Sequence, residues 1–493
     1  MKQCRRDFLK AAAALAAPLA LPVELHGEES KSPRGGRPNI LLILTDQQNS
    51  SMMSCAGNPW LQTPNMDSLA ASGVRFANAF PGNPVCVPSR WAMMTGVMPS
   101  RIGMDTNRAE VTLPPEIMAH AMGRVFSEAG YETVYGGKVH LPGAFSDVSV
   151  YGFEKITNQV RDELGQICAD WLRQKHERPF LLVASFINPH DICAVLPENP
   201  AAGVEKFSWL ADMIRPPDGV SEDEFFATMC PPLPENFEPM HDAPPALLAA
   251  AGEDEEQEDK PRKRVTKQGA AAQASEKQWR LRRWAYVRLT EWVDANIGVV
   301  LEALRESGLA ENTLVVFASD HGEMDGAHRL ATKGKPYEES IRVPFIVSWP
   351  GVTEAGKVDT EHLVSSGLDL IPTLCDFAGV PIPAGLKGRS VKPLATGGDA
   401  DGWRSSLAIE IHGARGLRTE RFMYAVYGEG EARDLGEPRE FLTDLKIDPL
   451  QMRNLARDPE YRETLESMRA ALAAWYQEHG ETLEPQYRIA ADA

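Results

Sequence analysis

The chain has 493 residues, 43% of them hydrophobic and 24% charged, with a formal net charge of -18 at pH 7. That length accommodates one large domain and a smaller one. The acidic balance excludes nucleic acid and anionic membrane as general partners, and no segment beyond the N-terminal run is apolar for long enough to span a bilayer.

Residues 1–30 read as a signal and linker rather than as part of the fold. "CRRDFLKAAAALAAPLALP" places Arg5 and Arg6 before Phe8-Leu9-Lys10 and an Ala/Leu-rich run. This resembles a twin-arginine export signal, with Ala14-Leu15-Ala16 as a cleavage candidate. The expectation is an exported bacterial protein, periplasmic or extracellular, with the twin-arginine machinery as a partner.

"NILLIL" (39–44) is a continuous apolar run, as in a strand buried on both faces, and it runs into Thr45-Asp46-Gln47. "NPVCVPSRWAMMTG" (83–96) predicts a short helix with Pro88 as its first residue and Gly96 ending it. Cys86 is then either a small buried residue or a thiol activated by the helix N-terminus. "ETVYGG" (132–137) predicts a strand leading to Lys138-Val139-His140, and "FLLVASF" (180–186) another leading to Asn188-Pro189-His190-Asp191. Residues 194–280 form a proline-rich and charged insertion; its charged run, 252–275, reads as a solvated loop. Apolar residues at three- and four-residue spacing predict a long helix over 282–308. "TLVVFA" (313–318) predicts a strand meeting Ser319-Asp320-His321. Beyond about residue 401 three short strands are expected, followed by a helix over 459–480 capped by Asp458. His412 and Arg415 there read as surface turn residues, with a place facing the substrate as the alternative. Apart from Cys4 in the signal, the cysteines (55, 86, 168, 193, 230 and 375) are scattered without a C-x-x-C pair, so no zinc site or disulfide scaffold is indicated.

Strands alternating with helices imply an α/β fold: a mostly parallel central sheet with helices on both faces, and a small C-terminal α+β subdomain with an antiparallel sheet. Domain bounds follow at 37–400 and 401–485. Ligands of such sheets bind beyond the carboxyl ends of the strands, where four runs each deliver polar residues. Asp46, Gln47, Asp320 and His321 suit a divalent cation; Arg90, Lys138, His140, His190 and Lys333 supply positive charge or protons. A metal beside cationic side chains suits an ester of phosphate or sulfate.

These residues resemble the sulfatase family of the alkaline-phosphatase-like superfamily. "CVPSRWAMMTG" matches its C-x-P-S-R-x-x-x-x-T-G motif at Cys86, Pro88, Ser89, Arg90, Thr95 and Gly96. "GGKVH", "NPHD", "SDHGE" and "KGKPYEESIRVPFIVSWPG" follow in the family's order, and the likeness extends over about 37–480. The resemblance implies that a formylglycine-generating maturation enzyme oxidises Cys86 to Cα-formylglycine. One hydroxyl of the hydrated aldehyde would attack sulfur, and the second would let the hemiacetal expel sulfate. It further implies that Asp46, Gln47, Asp320, His321 and modified Cys86 hold the metal, calcium by default, with magnesium or manganese as alternatives. Arg90 would orient the diol, Lys138 and Lys333 bind sulfate oxygens, His190 protonate the leaving alcohol and His140 assist release. The expected substrate is a sulfate monoester, on sulfated carbohydrate. The competing reading is a phosphonate monoester or phosphodiester hydrolase on the same fold. Two departures stand out: many relatives have two successive carboxylates where this chain has Asp46-Gln47, and many have Asn at His321.

Overall fold

The structure is a computed structural model describing residues 36–107, 111–143, 147–199, 208–248, 273–430 and 436–489. The signal expected at 1–30 lies outside the described residues, as does most of the charged run 252–275. From Arg37 onward the chain forms one compact unit.

Its centre is an eight-stranded sheet. In chain order the strands are β1 (Asn39–Asp46), β2 (Val74–Phe76), β4 (Glu132–Gly137), β5 (Glu154–Thr157), β6 (Phe180–Pro189), β7 (Thr313–Ser319), β8 (Phe345–Ser348) and β9 (Lys357–Asp359); β3 (Ala79–Phe80) pairs separately with β10 (Val364–Ser365). The spatial order is β5-β4-β6-β1-β7-β8-β2-β9, parallel except where β8 pairs with β7 and β2. The four strands expected from apolar runs are therefore adjacent, with β1 between β6 and β7.

Successive side chains point to opposite faces, so each central strand serves two cores. Ile40, Leu42 and Leu44 pack with Val87 and Trp91 of α2 (Cys86–Thr95) and with Val125 and Phe126 of α3 (Met122–Glu128). Leu41 and Ile43 pack on the other face with Met66 and Leu69 of α1 (Pro64–Ser72), Leu164 and Leu172 of α4 (Asp162–Leu172) and Ile297 and Leu304 of α5 (Glu276–Glu306). Full burial of each aliphatic side chain contributes about 1.5–3 kcal/mol. Helix α5 starts six residues before the expected 282: Ser275 accepts from Gln278 N and Gln278 reaches back, a capping box that outweighs the polar residues following it.

The C-terminal sheet is an antiparallel meander, β11 (Ser406–Ile411), β12 (Ala414–Thr419), β13 (Phe422–Tyr427) and β14 (Glu440–Asp444). Three of these were expected and β12 was not. It is covered by α7 (Arg462–Glu478), through Leu465, Met468 and Leu472; α6 (Leu370–Ala378) belongs to the main sheet's first core. The expected helix over 459–480 divides into a 3-10 turn, Pro459–Tyr461, and α7, with Asp458 accepting from Glu460 N (3.0 Å). The meander shares one core with Phe80, Met98, Met324 and Tyr337 of the preceding chain.

Candidate active site and metal centre

Strands β1 and β7 run in register, Thr45 opposite Ser319, so Asp46 and Asp320 emerge side by side at the carboxyl edge. Helix α2 begins at Cys86, two residues earlier than the proline suggested. Pro88 falls within the first turn, where its missing N–H costs no hydrogen bond. Gly96 ends the helix in the left-handed region (φ 69°), as expected. Val87 N donates to Asn107 Oδ1 (3.0 Å), which fixes the helix start beside the strand ends.

Cys86 and Arg90 are one turn apart and share a helix face. Cys86 Sγ lies 3.1 Å from His321 Nε2 and 3.7 Å from Asp46 Oδ1. Arg90 Nη2 donates to Asp46 Oδ2 (2.9 Å) and its Nε to Asp320 Oδ2 (2.8 Å), while Nη1 reaches Ser185 Oγ and Lys138 O. The guanidinium thus bridges both carboxylates from behind, buried at 1% exposure. Lys138 Nζ lies 2.7 Å from Asp46 Oδ2 and 3.9 Å from Cys86 Sγ.

Burial opposes every charge here, so neighbours decide the protonation states. Burial pushes the Asp46 carboxyl up, but Lys138, His190, Arg90 and His321 together hold it well below its ordinary value. Burial and the Asp46 charge push Asp320 up to about 6. For the Cys86 thiol, burial and Asp46 act upward, and Lys138, Lys333 and His321 outweigh them, so it is held well below its usual value.

Asp46, Cys86, Asp320 and His321 are all buried, and their donor atoms lie within 4.8 Å of one another. His321 Nδ1 lies 2.9 Å from Gly322 O. A carbonyl can only accept, so Nδ1 carries a proton, and Nε2 is the nitrogen that faces the cluster and would give its lone pair to a bound cation on losing its own proton. Two carboxylates and one oriented imidazole fit a divalent cation that takes oxygen and nitrogen donors.

The remaining expected residues surround this cluster. His190 opens the 3-10 turn His190–Ala194 at the end of β6, half-buried. His140 follows β4 with a positive φ of 49°; burial lowers its pKa against the influence of Cys86. Lys333 is buried and its Nζ donates to Gln47 Oε1 (2.7 Å). Gln47, in the left-handed region (φ 66°), therefore turns its amide oxygen to an ammonium, and its Nε2 donates to Glu323 Oε2 (2.5 Å). Sequence reasoning assigned no role to Glu323, Arg282 or Asn107; Glu323 stood within the quoted "SDHGE" without a distinguishing signal. Arg415 is a correction: it lies in β12 at 5% exposure, paired with Glu484 (2.5 Å), because strand β12 faces an acidic cluster rather than solvent. His412, in the turn before it, pairs with Asp105 (3.4 Å).

A buried carboxylate pair, an oriented histidine and converging cations at the carboxyl edge of a parallel sheet define a hydrolase of tetrahedral oxyanion esters. Residues 38–380 match the family described as Sulfatase, and residues 326–478 match the N-sulphoglucosamine sulphohydrolase C-terminal family. The chain belongs to the sulfatase family and is a sulfuric ester hydrolase. It is 31% identical over 468 residues to a Delta 4,5-hexuronate-2-O-sulfatase of Bacteroides thetaiotaomicron, covering 88% of each chain. A solved 2-O GAG sulfatase superposes with a TM-score of 0.74 at 28% identity, covering 90% of this chain and 93% of that one. The phosphonate monoester hydrolase of Agrobacterium radiobacter shares the fold, with a TM-score of 0.65 at 22% identity over 90% of this chain and 96% of that one.

Proposed function

We propose that the enzyme hydrolyses sulfate monoesters of sulfated carbohydrate, using Cys86 matured to formylglycine and a divalent cation, calcium in the first instance. The observation that carries this is the position of the residue 86 side chain among Asp46, Asp320, His321, Lys138 and Arg90. The carbohydrate class rests on the 2-O-sulfatase relatives.

Asp46, Asp320, His321 and residue 86 would hold the cation, and we assign Gln47 to Lys333 rather than to the metal shell. When bound, the cation supplies Lewis acidity to the nucleophile; the aldehyde hydrate supplies that nucleophile and a second hydroxyl that permits release of sulfate. Arg90 fixes both carboxylates and thereby the direction in which residue 86 projects. Lys138 and Lys333 bind non-bridging sulfate oxygens and offset the charge that builds up on them and on the leaving oxygen. His190 donates a proton to the departing alcohol, and His140 holds or accepts one beside residue 86. Arg5-Arg6 and the apolar run after them support export by the twin-arginine route to the periplasm or beyond, with maturation before export.

Hydrolysis of an aryl sulfate and an aryl phosphate diester by the mature enzyme tests the assignment. The expected result is a kcat/KM for the sulfate at least about tenfold higher, the ratio that ~1.4 kcal/mol of preferential transition-state binding supplies. A preference for the diester would replace this reading with the phosphonate and phosphodiester one. Among sulfated oligosaccharides, release from the uronate 2-position is expected to be fastest.

A further inference from the structure

Lys333 reaches the site on a loop, not from a strand end, and the loop's path is conformationally costly. Asp325 (φ 46°), His328 (φ 55°), Arg329 (φ 54°) and Thr332 (φ 73°) are all non-glycine residues in the left-handed region. Surroundings must impose such a path. Glu323, fully buried, stands where the loop begins. Its Oε1 accepts from Asp325 N (3.1 Å) and Thr332 N (2.8 Å), closing the loop onto itself one residue before Lys333. Arg282 Nη1, on α5, lies 3.0 Å from the same oxygen. Its Oε2 accepts from Gln47 Nε2 (2.5 Å), and Gln47 Oε1 in turn accepts from Lys333 Nζ (2.7 Å).

Only one orientation of the Gln47 amide satisfies both neighbours. An ammonium can only donate, and a carboxylate ion-paired with arginine can only accept, so the nitrogen faces Glu323 and the oxygen faces Lys333. We propose that Glu323 is the positioning residue for Lys333: it ties the loop backbone at Thr332 and, through the Gln47 amide, sets the oxygen against which the ammonium rests. The ammonium is then oriented before substrate arrives, which is what a group stabilising developing charge requires. The same geometry accounts for glutamine at position 47. A carboxylate there would put two buried carboxylates at hydrogen-bonding distance.

This proposal rests on Lys333 acting on the sulfuryl group and its leaving oxygen, so the test includes that residue. The mature enzyme and the variants Lys333→Ala, Glu323→Gln, Gln47→Glu and Gln47→Glu/Glu323→Gln are assayed for kcat and KM. The substrates are a series of aryl sulfates of graded leaving-group pKa. Glu323→Gln should lower kcat by about 10- to 100-fold with a smaller change in KM, the scale at which groups orienting a site residue act. It should also steepen the dependence on leaving-group pKa in the same sense as Lys333→Ala. The double variant restores acceptor and donor on the correct sides of residue 47, and should recover about tenfold relative to either single variant.

A Glu323→Gln variant with wild-type turnover and slope, while Lys333→Ala is impaired, overturns the proposal alone. A loss of kcat without a change of slope, and without recovery in the double variant, reduces Glu323 to a packing role and also overturns it. If Glu323→Gln does not fold, the double variant compared with Gln47→Glu decides the matter: equal activity overturns the proposal, recovery supports it. Wild-type behaviour of Lys333→Ala would overturn the reading of Lys333 and the proposal with it.

Discussion

Cys86 is a single buried thiol, and its neighbours distinguish it from Cys168 and Cys375. Burial pushes those two thiols up to about 12, as expected of cysteines packed in a core. At Cys86, burial and Asp46 act in that direction too, but three cations reverse the outcome. The same field suits any side chain at position 86 that carries negative charge on an oxygen. Cys86→Ala should therefore abolish turnover while leaving the melting temperature within a few degrees of wild type, since only one small atom leaves the helix start. Peptide mass spectrometry of the active enzyme should find the aldehyde at position 86. An active preparation with only unmodified cysteine there would remove formylglycine from the mechanism. The helix expected from Pro88 left Cys86 outside it, so the face that Cys86 shares with Arg90 became visible only with the helix start at Cys86. The partners of Arg90 were not legible either, because Asp46 and Ser185 lie on β1 and β6 and Asp320 directly follows β7.

At the scale of elements, the strands that read clearly are those whose two faces are both buried. β1, β6 and β7 carry uninterrupted apolar runs because helices cover the sheet on each side. Strand β12 escaped notice because its sequence, "ARGLRT", places Arg415 and Arg418 inside. Each is matched by an acid on another element, Glu484 and Glu338. A buried ion pair breaks the hydrophobic pattern, and its partner is invisible from the strand itself.

The segment after Lys333 holds another buried charge. Lys335 is 6% exposed, its Nζ donates to Leu247 O (2.6 Å), and burial pushes its ammonium down from 10.5 to about 8. Between pH 8 and 10.5 the unfolded chain binds more protons at this group than the folded one, so stability rises with pH there; below pH 8 the whole penalty stands. Lys335→Met should thus be more stable than wild type near pH 7. The penalty removed is about 3 kcal/mol, less about 1 kcal/mol for the lost hydrogen bond. That advantage should shrink as pH is raised from 8 towards 10.5. Urea unfolding midpoints of both proteins at pH 7 and pH 10 measure it, and a difference independent of pH would show that Lys335 ionises as freely as an exposed lysine.

Over the whole molecule, an acidic protein brings three cations together at one place. The chain carries a formal net charge of -18, yet Arg90, Lys138 and Lys333 converge on one carboxylate-lined centre. A bound divalent cation would join the ends of β1 and β7 to the start of α2, elements far apart in the chain. Removing it should therefore loosen the fold as well as stop turnover. Dialysis against a chelator is expected to lower the melting temperature by several degrees and abolish activity, and calcium should restore both. If a preparation shown by elemental analysis to be metal-free kept its melting temperature and its turnover, the cluster would not be a metal centre.

The sequence by itself determined the class of the fold and singled out Asp46, Cys86, Asp320 and His321, which the structure brings together. Apolar runs ending in Asp, Lys and His place polar residues at the carboxyl edge of a parallel sheet, and the ordered motifs mark those of a sulfatase. Periodicity and strand ends are local properties, so they survive in one dimension. Tertiary structure alone decided what each charge does. The split between Asp46 and Asp320, the turn of Gln47 towards Lys333 and the place of Glu323 behind them depend on burial and on neighbours tens to hundreds of residues away. Electrostatic energies inside a protein are set by distance and desolvation, and neither quantity is written along the chain.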